Sequence, residues 1–143
     1  MPDRKRGKIA RESHLPEVDT ILRDLESQKR QVLVILFIPS HDKNEQELPA
    51  QDQWADAALE LFAGLFGGAT AFETYGGIYR DKVRGKDLKD KPILIESFTQ
   101  TETARDPQRL HKLVEFMKRM GKEMRQAAVA VVIDNTFHEI ADF

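Results

Sequence analysis

No cysteine occurs in the 143 residues, so disulfide scaffolds, thiolate zinc sites and thiol catalysis are excluded. No apolar run approaches the ~20 residues that a helix needs to cross a bilayer. The N-terminus opens on Arg4, Lys5, Arg6 and Lys8 without the apolar stretch of a secretory signal. Both absences point to a cytoplasmic chain without membrane contact. Neither sign of charge dominates: 22 Lys and Arg stand against 24 Asp and Glu, and the pI is near 6.1. Nucleic-acid-binding domains usually have a pI above ~9 and one basic face, so a nucleic-acid partner is disfavoured here and would rest on a local patch. Internal repeats are missing, as is a glycine-rich phosphate loop. Gly67 and Gly68 follow a helix and precede a strand, the reverse of the order in which backbone amides cradle phosphate. Gly76 and Gly77 fall inside a strand pattern, where a bulge or bend explains them.

What is present fits one domain. The chain is 41% apolar and 32% charged, enough to bury a core. Charge is segmented along it: residues 80–125 carry 13 Lys and Arg against 8 Asp and Glu, whereas residues 126–143 carry 3 acidic residues and no basic ones. Residues 1–12 are basic and nearly free of large apolar side chains, which reads as a mobile tail ahead of a single α+β domain over residues 13–143. Pro16 followed by Val18, Leu22 and Leu25 predicts a first helix, with Leu15 ahead of it.

Val32 to Ile38 is a continuous aliphatic run ended by Pro39, the signature of a central strand buried on both faces. Trp54, Ala58, Leu61 and Leu65 mark one face of a helix that the Gly67–Gly68 pair ends. Ala71 to Tyr79 and Pro92 to Phe98 alternate like strands and are joined by a charged connection, which predicts a hairpin with a long tip. Asp106 and Pro107 form a helix start, after which Leu110, Leu113, Val114, Met117, Gly121 and Met124 trace one face. Ala127 to Ile133 supplies the last strand before a polar and aromatic C-terminus. Apart from the first helix, the order strand, helix, strand, strand, helix, strand is that of a ferredoxin-like α/β plait with a four-stranded antiparallel sheet. That order serves many unrelated functions, and no residue motif singles one out.

In such a plait the helices cover one sheet face. Strand alternation assigns Ile93, Ile95 and Ser97 to the helix side and leaves Leu94, Glu96 and Phe98 on the open face. The same reasoning puts Phe72 in the core and Ala71, Glu73 and Tyr75 outward. An apolar open face around Leu94 and Phe98 predicts an interface, with a second copy of the chain or the N-terminal helix as its cover.

Several polar groups are candidates for chemistry. Glu73 and Glu96 on one face, joined by Asp134 at the end of the last strand, could share a proton or hold a divalent ion. Ser40, His41 and Asp42 carry the residue types of a hydrolase triad but not its logic, since those side chains must converge from separate places, and in extended chain His41 points away from its neighbours. His111 and Glu115 read as an exposed helical pair. The hairpin tip carries Arg80, Lys82, Arg84, Lys86, Lys89 and Lys91 against three aspartates, and its first four cations are the candidate ligand-binding residues for a phosphate-bearing or otherwise anionic small molecule, or for an acidic protein surface. The reading that follows is a small cytoplasmic homo-oligomeric binding or regulatory module needing no metal, its cofactors unspecified by any motif. The alternative is a divalent-metal-dependent phosphodiester hydrolase using Glu73, Glu96 and Asp134.

Overall fold

Eight residues of almost purely aliphatic character have no polar side to offer water, and they occupy the middle of a sheet. The computed structural model describes residues 17–23, 25 and 31–143. This central strand is β1 (Gln31–Ile38). It is followed by α1 (Gln51–Phe66), β2 (Thr70–Glu73), β3 (Gly77–Asp81), β4 (Lys86–Asp90), β5 (Ile93–Gln100), α2 (Thr101–Ala104), α3 (Pro107–Glu123), β6 (Val129–Ile133) and β7 (Thr136–Ile140). Five strands form one antiparallel sheet in the order β2-β5-β1-β6-β7, and β3 pairs with β4 in a separate two-stranded sheet. Strands β2, β5, β1 and β6 reproduce the expected plait, and β7 extends it by a fifth strand.

One face of the sheet is sealed by the helices. Val32, Val34, Leu36 and Ile38 of β1, Ile93 and Ile95 of β5, and Val129 and Val131 of β6 are buried there against Ala58, Phe62 and Leu65 of α1 and Leu113, Phe116, Met117 and Met120 of α3. Ser97 and Thr99 are buried on the same side. The Ser97 hydroxyl donates to the Gly68 carbonyl at 2.5 Å, so its burial leaves no polar group unpaired. The helix ends follow the local chemistry. Gly67 adopts φ 93° and its N–H closes α1 on the Ala63 carbonyl, while the Asp106 side chain accepts the Arg109 N–H at 3.0 Å with Pro107 in the first turn of α3.

Three local expectations need correction. The predicted strand from Ala71 to Tyr79 is two strands, broken where Thr74 turns its hydroxyl to the Pro92 carbonyl at 2.8 Å and Gly76 takes φ 156°. The final strand begins at Val129 rather than Ala127, and a tight turn at Asp134 and Asn135, both with positive φ, sends the chain back as β7. Residues 17–23 are helical as expected, but Val18, Ile21, Leu22 and Leu25 are exposed, so this stripe packs on none of the described core. The expected tail at residues 1–12 lies outside the described residues, as do Leu15 and Pro16.

Candidate functional site

The helix-free face of the sheet ends in a cleft of about 350 Å³. Its floor comes from Phe37 of β1, Ala130 of β6 and Phe137 and Glu139 of β7, and its far wall from Tyr79 and Leu88 of the β3–β4 hairpin. Tyr79 and Leu88 pair across the hairpin, so both side chains point to the same side. His41 and Lys43 from the loop after β1, and Lys89 and Asp90 from β4, add polar groups. Burial, and behind it the charge of Asp90, pushes the Tyr79 phenol above its usual 10.0, so at neutral pH it is a hydroxyl.

Two polar knots hold this cleft. In the first, Asp90 Oδ1 accepts both the backbone N–H of Ser40, at 2.8 Å, and the Ser40 hydroxyl. Ser40 Oγ also accepts the Lys91 N–H at 2.8 Å and lies 2.7 Å from His41 Nδ1. Adjacent Ser40 and His41 do meet, contrary to the extended-chain expectation, because the backbone leaves β1 at this point and is pinned by the Gln126 side-chain amide donating to the His41 carbonyl at 2.8 Å. The aspartate that joins them is Asp90, fifty residues on, and the hydroxyl rather than the imidazole occupies the centre. In the second knot Asp42 is buried. It accepts the N–H groups of Asn44 and Gln46 at 2.8 and 3.0 Å, and Arg125 clamps its other oxygen at 2.9 and 3.1 Å. The Gln46 N–H, with Asn44 and Arg125, outweighs the cost of burial and holds this carboxyl below its usual 3.8. Asp42 shapes the loop and is no partner of His41.

The hairpin cations divide. Lys86 pairs with Glu45 at 2.6 Å and Arg84 donates to the Lys43 carbonyl at 2.8 Å, so both tie the hairpin to the loop after β1. Arg80 sits 3.8 Å from Asp87 and is widely exposed, and Lys82 has no ion-pair partner among the described residues. Arg80, Lys82 and Lys86 line a shallow depression at the tip, away from the aromatic cleft.

The expected carboxylate site is not assembled. Glu73 pairs with Ile93, a core residue, and therefore lies on the helix side at the strand's end, whereas Glu96 pairs with Thr70 and Ile35 on the open face. Asp134 is in the β6–β7 turn, where its N–H donates to the Leu33 carbonyl at 3.1 Å. The cause is register: β2 sets Phe72 opposite Leu94, so Phe72 is outward and 45% exposed, and the assignments of Phe72 and Glu73 are inverted. Among the described residues no group of three or more His, Asp or Glu side chains is placed to hold a metal ion. His111 and Glu115 form the exposed pair expected of them, 3.9 Å apart. Leu94 and Phe98 do lie on the open face, with Phe98 61% exposed beside Leu33.

Sequence reasoning missed Tyr79, Asp90, Phe137 and Glu139 as cleft residues. The alternation of Thr136 to Ile140 behind the Asp134–Asn135 turn is the signal that could have placed Phe137 and Glu139 together. Nothing local connects Asp90 to Ser40.

A ferredoxin-like sheet with an added edge strand and a hairpin-walled cleft is thus the class of protein this chain presents. No protein-family model matches it, and no curated protein matches its sequence. Among solved structures, a phage SAM lyase in complex with S-methyl-5′-thioadenosine is similar, with a TM-score of 0.58 and 13% identity over 82% of this chain and 95% of that one. The same lyase in its apo state gives 0.56 and 14% over 82% and 94%. The divalent ion tolerance protein CutA1 from Ehrlichia chaffeensis gives 0.45 and 11% over 75% and 81%. At these identities the lyase structures establish a shared fold. No described helix is long and apolar enough to cross a membrane.

Proposed function

We propose that the chain is an oligomeric small-molecule-binding module whose ligand is a nucleoside-sized thioether or sulfonium compound held in the cleft between the hairpin and the sheet. The observation that carries this reading is the cleft itself. Its volume of about 350 Å³ falls within the roughly 300–1,000 Å³ of small-molecule sites, and it combines aromatic walls with a few convergent polar groups. Phe37, Phe137 and Tyr79 offer faces to a flat base or a sulfonium, and Asp90 and Glu139 offer acceptors. The phage lyase of the same fold holds S-methyl-5′-thioadenosine, which supports the ligand class by analogy of fold alone.

The hairpin's role changes accordingly. Lys82 and Arg80 remain available to an anionic group, while Arg84 and Lys86 act by positioning the hairpin. Titration calorimetry with S-methyl-5′-thioadenosine, SAM and inorganic phosphate tests the reading. The two sulfur compounds are expected to bind and to lose affinity in Phe137→Ala, and SAM incubated with the protein is followed by mass spectrometry for release of the thioadenosine. Binding of phosphate alone, abolished by Lys82→Ala and Arg80→Ala, would replace this reading with an anion-binding hairpin.

A further inference from the structure

The Ser40 hydroxyl has one proton and three neighbours. Asp90 Oδ1 accepts only, so the hydroxyl proton goes to it; Lys91 N–H donates only, so it occupies a lone pair of Oγ. At 2.7 Å, His41 Nδ1 can then bond to Oγ only as a donor, which requires a proton on Nδ1. The short chain Asp90, Ser40, His41 therefore reads in one direction, and a neutral ring protonated at Nδ1 keeps the lone pair on Nε2. That nitrogen has no partner among the described residues, and the ring to which it belongs lines the cleft with its side chain 29% exposed.

We infer that Asp90 and Ser40 fix His41 as the Nδ1–H tautomer, making its bare Nε2 a built hydrogen-bond acceptor of the cleft for an O–H or N–H of the ligand. This rests on the reading of the cleft as a ligand site and adds a named contact to it. His41 is the group that touches the ligand; Ser40 and Asp90 are positioning residues. The arrangement differs from a hydrolase triad, in which imidazole stands between hydroxyl and carboxylate and takes the hydroxyl proton. Here the carboxylate accepts a hydrogen bond from the hydroxyl, and the imidazole stands at the end of the chain as a donor to Oγ with its basic nitrogen free. A hydroxyl pair on a sugar ring or an amino group supplies the donor such a nitrogen accepts.

The tautomer is visible without a ligand. Long-range proton–nitrogen correlation spectra of the full chain at about pH 8, above the ordinary imidazole pKa of ~6.5, separate a protonated ring nitrogen from a bare one. His41→Gln identifies the resonances by their loss. His41 is expected to be protonated at Nδ1 and bare at Nε2. In Asp90→Ala the Ser40 hydroxyl loses this acceptor and can donate to His41 Nδ1, so the ring is expected to move towards Nε2–H. A wild-type ring already protonated at Nε2, or one whose tautomer is unchanged by Asp90→Ala, overturns the inference. With S-methyl-5′-thioadenosine bound, an Nε2 resonance that does not move overturns the acceptor role. Absence of thioadenosine binding in calorimetry counts against the proposed ligand, and the ring's state is then decided by the ligand-free spectra.

Discussion

Asp42 shows how one buried carboxylate can organise a loop. Its two oxygens take two backbone N–H groups and a two-pronged guanidinium, and the turn they enclose carries Glu45 at φ 63° and presents Lys43 and Glu45 to the hairpin. A carboxyl held below its usual 3.8 stabilises the fold above that pH, and the contribution is lost as the pH falls through the depressed value, where the folded state must also take up a proton. Asp42→Asn keeps the shape, removes the charge and turns a donating NH2 towards donors that one carboxylate oxygen served. Its melting temperature is expected to lie below that of the wild type at pH 7, with the gap narrowing below pH 3.8 as the wild-type carboxylate is neutralised. Thermal melts across this range check both parts, and a gap independent of pH would show that the carboxylate's charge is not the cause.

Helix α3 carries its own test in Gly121. An ideal Cβ there would lie 2.2 Å from the Phe143 ring, yet glycine inside a helix costs about 1 kcal/mol relative to alanine. The ring is 37% exposed and can turn further towards solvent about its own side-chain bonds, so the helix term wins. Gly121→Ala is expected to hold or raise the melting temperature while the NMR contacts between Phe143 and α3 disappear. A marked fall in melting temperature would assign real stability to the Phe143 contact. The elements whose determinants are local were legible in the sequence: β1 from its unbroken aliphatic run, and α3 from its Asp106–Pro107 cap and apolar stripe. The side each strand residue faces was legible only where one alternating set was plainly more apolar. In Ala71 to Glu73 the large Phe72 suits the core, but pairing with β5 puts the small Ala71 and Glu73 on the helix side, at an edge where both stay exposed, and turns Phe72 outward. Strand β7 was hidden by its polarity, as befits an edge strand, and the cleft depends on Asp90 meeting Ser40 across fifty residues, a contact that no local pattern encodes.

Outside the cleft, the whole molecule leaves Phe72 and Phe98 each about half exposed on the sheet's helix-free side. Large apolar patches of this kind usually mark an interface, and we propose that a second copy of the chain covers it. Light scattering at micromolar concentration is expected to give a mass above 16.4 kDa that returns to that of one chain in Phe98→Asp. A monomeric wild type would remove the proposal. The β3–β4 hairpin shares no ladder with the five-stranded sheet. An isolated two-stranded hairpin is marginal in water, and ties such as Lys86–Glu45, exposed and screened by salt, are worth at most about 1 kcal/mol each. Its amide hydrogens are therefore expected to exchange with deuterium through local opening, faster in high salt and insensitive to low denaturant, while those of β1 and β5 wait for global unfolding. Equal protection in both would show a single cooperative unit. With exchange divided in this way, the cleft has one wall as durable as the protein and another that opens and recloses many times within the lifetime of the folded core.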